Sequence, residues 1–186
     1  SGIGREISEK IALKDGEQVN AIVMSGVSKI HKFLKEEIDR KEVDSFIDGL
    51  NYNKSADKAI MYFILISLED QAGGYGRLIV RDDLSLEHVY PKSVEKKAKL
   101  DGWPAPDFDY SHYGHGIGNL TLLPVSGPVA NGSAGEESFI VKRDDFLLPS
   151  PFSINRYFEN VDQWGESEIK LRLQAIKDAV WDRWGV

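Results

Sequence analysis

The stretch Leu84-Ser85-Leu86-Glu87-His88-Val89-Tyr90-Pro91-Lys92 limits the fold more than any other part of the chain. Its apolar residues alternate up to Leu86, and then an acid and a histidine stand side by side. Successive residues of a regular strand face opposite sides. Glu87 and His88 can therefore serve one site only if the strand ends or bulges there, and Pro91 supplies an ending. The pair either caps the strand or does chemistry.

The flanking sequence frames this strand with helices. Residues 17 to 48 read as one or two helices, with Val19, Ile22, Val23, Val27, Ile30, Leu34 and Ile38 in one apolar stripe. Gly49 to Asn53 is a break. Ser55 is placed to cap a second helix from Ala56 to about Glu69, ended by Gly73-Gly74-Tyr75-Gly76. Arg77 to His88 predicts strand, residues 101 to 118 a long loop, and Asn119 to Leu123 a short strand stopped by Pro124. After a second loop at 126 to 135, Glu136 to Phe146 fits a helix broken by Pro149 and Pro151. Ser167 is placed to cap a last helix striped by Ile169, Leu173, Ile176, Val180 and Trp184. The expectation is an α+β chain: a helical preface over residues 1–76, packed on a core over 77–186.

Composition narrows the chemistry. With no cysteine, disulfides, thiolate metal sites and cysteine nucleophiles are excluded. Any metal falls to His, Asp, Glu or Asn, a donor set that favours a hard ion such as Mg²⁺ or Mn²⁺. The longest apolar run, Ala59 to Ile66, is far short of the ~18 residues of a membrane span. Glu6, Glu9 and Lys10 stand where a signal peptide would be apolar, which suits a cytosolic protein, and Ser1-Gly2 reads as a tag scar. A net charge of −7 argues against a broad nucleic-acid surface. Yet Lys92, Lys96, Lys97 and Lys99 cluster just after the Glu-His pair, and Lys142-Arg143 forms a second basic group. A local basic rim on an acidic body remains open.

The chemically capable residues of the middle section are Glu87, His88, His112, His115, Asn119, Asn131 and Lys142. A strand ending in Glu-His, a second strand opened by Asn and a helix after another Asn resemble the order of a ββα-metal, or HNH, nuclease site. Phosphodiester cleavage needs an activated water and stabilisation of charge on phosphorus and on the leaving oxygen. A neutral imidazole, here His88, can take the water's proton. Glu87 and Asn131 would share one divalent ion, and Asn119 would brace the turn and orient His88. Each residue also has a plainer reading. Glu87 could be a salt-bridge partner, Asn119 could bond its own loop, and Asn131-Gly132 is a common turn. His112 and His115 could belong to a solvated loop, with His115 otherwise near the phosphate, and the lysine run could be a solvated helix face.

The blocks SLEHVYPKS, GIGNLTLL, Asn131, FIVKRDDF and the closing W…EIKLRLQAIKDAVW together resemble the C-terminal HNH domain of GmrSD-type restriction nucleases, over about residues 84 to 184. The resemblance implies a ββα-metal core flanked by N-terminal helices and a C-terminal helix. It implies a Mg²⁺- or Mn²⁺-dependent DNA endonuclease, the effector of a bacterial, cytoplasmic anti-phage restriction system acting on phage or other foreign DNA. It further implies an N-terminal NTPase or sensor domain ahead of this stretch. Carried over by motif, His88 is the general base of the Glu-His pair, with Glu87 beside it. Asn119 is the Asn of Gly-Asn-Leu, and Asn131 the downstream Asn. Lys142 is the Phe-x-x-Lys lysine, touching phosphate or bracing its helix. Lys92, Lys96, Lys97, His115, Lys142 and Arg143 are the expected nucleic-acid contacts. The rival expectation is a weak HNH-like module that binds nucleic acid or a partner without cutting.

Overall fold

Two short strands carry the centre of the molecule. In a computed structural model, which describes residues 39–72, 83–96, 100–103 and 106–184, β1 (Leu84–His88) pairs antiparallel with β2 (Leu120–Pro124). The register sets Leu86 against Leu122, Glu87 against Thr121 and His88 against Leu120. Leu120 to Leu123 are buried on both faces of β2, so helices must cover this sheet from both sides. Among the described residues five α-helical segments do the framing: α1 (Arg40–Asp48), α2 (Ser55–Gln71), α3 (Asn131–Ala134), α4 (Phe139–Val141) and α5 (Glu166–Trp184). α4 widens directly into a π-type turn over Lys142–Leu147. The arrangement is α+β. Everything discussed below lies in one compact unit, Asp44–Val180.

α2 buries Met61, Ile64 and Leu65, as its apolar composition demands, and also Glu69. A buried carboxylate needs donors. Glu69 finds them in the backbone N–H groups of Ser153 and Ile154, both at 2.9 Å, at the start of a 3₁₀ segment. The Tyr62 hydroxyl of the same helix donates to the Leu84 carbonyl and accepts from Leu86 N–H, tying α2 to the edge of β1.

α5 presents Ile169, Arg172, Ile176 and Val180 to the interior at spacings of three and four. Arg172 is buried and donates to the Leu120 carbonyl at 2.6 Å and to the Thr121 hydroxyl at 3.2 Å, fixing the helix to β2. Gly118 makes this approach possible. A Cβ there would stand 2.7 Å from the Ile169 carbonyl oxygen and 2.9 Å from Leu173 Cβ. The glycine of Gly-Asn-Leu is thus a packing requirement.

Several expected boundaries move. α2 starts at Ser55 itself, following Lys54, and no side chain caps it. Ser167 lies inside α5; Glu168 instead reaches back to accept from Gly165 N–H at 2.9 Å, half of a capping box. Residues 106–118 are not a plain loop. They contain a π-type turn, Tyr110–Gly114, whose entry is closed by Asp109 accepting from His112 N–H. The apolar stripe from Val19 to Ile38, the predicted strand residues 77 to 82, Lys97 and Lys99 lie outside the described residues. Among the described residues no helix is long and apolar enough to cross a membrane.

Candidate active site

β1 ends at His88, and its last two side chains take separate sets of partners, as opposite strand faces require. Glu87 turns toward α3 and α4. Its Oε2 accepts from Asn131 Nδ2 at 2.6 Å, and its Oε1 from Lys142 Nζ at 2.5 Å. Lys142 Nζ also donates to the His88 carbonyl at 2.7 Å, so one ammonium ties both residues of the pair. Asn131 Nδ2 reaches the Leu86 carbonyl as well. Glu87 is 5% exposed and Lys142 0%. Burial pushes the Glu87 carboxyl up and the Lys142 ammonium down, and the attraction between them pulls each back toward its charged form.

His88 turns the other way, toward Tyr52 and His115. The Tyr52 ring meets it edge-on at 4.5 Å, and His88 Nε2 lies 3.3 Å from His115 Nδ1. His88 Nδ1 makes no hydrogen bond among the described residues. Burial, then the proximity of His115, Lys92, Lys142 and Lys58, holds the imidazole well below its ordinary range, at about 3. At neutral pH it is an uncharged base with an open lone pair.

Asn119 spends its side chain elsewhere. Its Oδ1 accepts from Tyr90 N–H at 2.8 Å and Trp164 Nε1 at 2.9 Å. Its Nδ2 donates to the carbonyls of Tyr90 at 3.0 Å and Gly114 at 2.8 Å. All four positions of the amide are filled. Asn119 therefore braces the turn after β1 and does not touch the His88 ring. Its own carbonyl accepts from Val89 N–H.

The expected nucleic-acid contacts divide. Lys92 is exposed, stands 5.4 Å from the Tyr52 ring and donates to Asn53 Oδ1, beside His88. Lys96 is exposed; Lys97 lies outside the described residues. Three others are engaged by groups of the protein itself. Lys142 is wholly internal. Arg143 donates to Asp144, Asp162 and the Val161 carbonyl. His115 is 1% exposed, packed against Tyr110, with Nε2 3.1 Å from Glu95 Oε1 but not aligned for a hydrogen bond. His112 is exposed.

Sequence reasoning missed Tyr52, Lys58 and Glu95. Lys58 donates to the Tyr52 hydroxyl at 3.0 Å and lies 4.4 Å from its ring. With Lys92 it makes a small cationic rim around Tyr52. The Asn51-Tyr52-Asn53-Lys54 turn gave only the signal of a break. Its register on the site comes from Tyr52 N–H donating to the His115 carbonyl, a contact across 63 residues.

Glu87 brings a carboxylate to the end of β1, beside the Asn131 amide. Among the described residues no group of three or more His, Asp or Glu side chains gathers to hold a metal. A half-turn of the Asn131 amide, however, sets its oxygen against Glu87 Oε2. Two oxygens that share one Mg²⁺ at about 2.1 Å in octahedral geometry stand about 3 Å apart. Few protein oxygens, completed by substrate phosphate and water, are the habit of Mg²⁺ sites.

No curated protein matches the chain. Residues 37–179 match the family model described as GmrSD restriction endonucleases, C-terminal domain, a span that contains the strand pair, α3, α4 and most of α5. This chain belongs to the family of GmrSD restriction endonuclease C-terminal domains, whose activity is of the restriction-nuclease type and whose substrate is DNA.

Proposed function

We propose that the domain cleaves or nicks DNA phosphodiesters at an HNH-type centre built on the end of β1, as the effector of an anti-phage restriction system in the bacterial cytoplasm. One observation carries the reading: the buried, neutral His88 directly follows Glu87, whose carboxylate meets the Asn131 amide at the end of β1. His88 takes a proton from a water whose oxygen bonds to phosphorus; the bond to the leaving sugar oxygen breaks, and that oxygen is protonated from solvent. Glu87 and Asn131 would hold Mg²⁺ or Mn²⁺, which when bound neutralises charge on the phosphate and the leaving oxygen. Lys142 fixes the Glu87 carboxylate, so that one oxygen stays turned to Asn131. Lys58 and Lys92 attract the backbone locally despite the net charge of −7. An NTPase or sensor domain ahead of this stretch would supply further DNA affinity and control.

A second reading, a module that binds nucleic acid or a partner without cutting, draws on the same corner. Lys142 already neutralises Glu87, and this lowers the demand for a metal. Supercoiled plasmid incubated with Mg²⁺, Mn²⁺ or EDTA separates the two. Nicking that EDTA abolishes is expected. DNA retention without turnover in either metal, at high protein, would transfer the assignment to the binding module.

A further inference from the structure

We infer that Glu95 and His115 are positioning residues that set the tautomer of His88, leaving Nδ1 as the nitrogen that takes the water's proton; this rests on the nuclease reading above. His88 Nε2 and His115 Nδ1 face each other at 3.3 Å. Where both rings are uncharged, one nitrogen donates and the other accepts, so the tautomer of one ring dictates that of the other. The far nitrogen of His115 decides the direction. Nε2 is buried, unpaired, and 3.1 Å from a Glu95 carboxylate oxygen, which can only accept. The Glu95 side chain is 35% exposed, so bringing it into line requires only a side-chain rotation at the surface. The proton of His115 then belongs on Nε2, and its Nδ1 offers a lone pair. His88 Nε2 must carry its own proton and donate. Its Nδ1 is left bare.

The surroundings make this a tautomer device rather than a loose contact. Tyr52 abuts the His88 ring and Tyr110 the His115 ring, each edge-on, so neither ring swings freely. Asn119 binds the backbone on both sides, through the Gly114 carbonyl before His115 and both backbone groups of Tyr90 after His88. The 3₁₀ turn Lys92–Glu95, set by Pro91, brings the carboxylate round. Pro91 of the Glu-His-x-x-Pro block thus serves the site as well as the strand end.

The test is a long-range ¹H–¹⁵N correlation of the histidine rings in the whole chain, with single-turnover plasmid nicking alongside. Wild type should show His88 protonated on Nε2. Glu95→Lys puts a donor where the acceptor stood and should invert both rings, moving the His88 proton to Nδ1. Its kcat should then fall by about 10²- to 10⁴-fold, the range for a lost or wrongly tautomerised base. DNA affinity should not fall, because the substitution adds positive charge. Glu95→Asp should keep both tautomer and rate. Should Glu95→Lys fail to fold, His115→Phe removes the acceptor at similar size and should leave His88 a mixture of tautomers. His88 protonated on Nδ1 in wild type, or fixed on Nε2 in either variant, overturns the inference. So does a Glu95→Lys enzyme that cuts as wild type does. A wild type that cuts in neither Mg²⁺ nor Mn²⁺ refutes the nuclease reading alone, since the spectra still decide the tautomer.

Discussion

Replacing Lys142 with methionine should destabilise this protein severely and leave its DNA contacts almost untouched. Methionine keeps the apolar stem but removes the ammonium. Two acceptors lose their donor at once: Glu87 Oε1 at 2.5 Å and the His88 carbonyl at 2.7 Å. Glu87 stays buried, so its charge would stand uncompensated. Breaking a buried pair by removing one partner costs roughly 3–5 kcal/mol, against a total stability of roughly 5–15 kcal/mol for a domain. The cost should depend on pH. With Lys142 gone, its attraction no longer offsets burial, and the folded pKa of Glu87 rises further above the unfolded value. A raised carboxyl contributes stability fully below the unfolded value and loses it as pH rises through the folded one. The penalty of Lys142→Met should therefore shrink on acidification toward pH 4. Urea unfolding of both proteins at pH 7 and near pH 4 reads this directly. A loss under ~1 kcal/mol, together with one fewer phosphate contact in the salt dependence of DNA binding, would refute the internal role.

Other outcomes follow from the same contacts. Asn119→Ala orphans buried groups of Tyr90, Gly114 and Trp164, each costing about 1–3 kcal/mol; a drop in thermal midpoint of many degrees is expected, and unchanged melting would contradict the bracing role. Lys92→Ala should weaken DNA binding, and the salt slope should fall by about one contact, with stability within about 0.5 kcal/mol of wild type. His88 is held at about 3 when folded, below its ordinary 6.5. The unfolded chain therefore binds the proton first, and stability present above pH 6.5 is lost as pH falls toward 3, by roughly 4–5 kcal/mol at most. Denaturation against pH should show that loss in wild type and less of it in His88→Leu.

What the sequence revealed was mostly local. Alternation up to Leu86, the Glu-His pair and Pro91 place a strand end, because strand periodicity and proline geometry act within a few residues. Gly118-Asn119 marked a turn, and the close α5 contact explains why glycine is needed there. Lys142 was harder, because its partner Glu87 is 55 residues away and lysines are usually solvated. A signal existed: Lys142 follows the buried Phe139 by three positions, on the same helical face. Arg143, one position on, points to other partners and is consumed by two neighbouring acids. The sequence leaves His115 between a solvated loop and the phosphate, because Tyr110-Ser111-His112-Tyr113-Gly114 has no helical or strand period. The π-type turn closes only because Gly114 has no Cβ, which would stand 2.5 Å from the Tyr110 ring. Such tertiary fits leave no periodic trace in a single sequence.

The most direct test of the central claim is the single-turnover nicking rate of His88→Ala against wild type, on supercoiled plasmid with Mn²⁺ and matched DNA occupancy. A fall of about 10²- to 10⁴-fold is expected, the usual contribution of a general base, with the variant folded and DNA still bound. Equal rates in a nuclease-free preparation would remove His88 from the chemistry and the strand-end site with it.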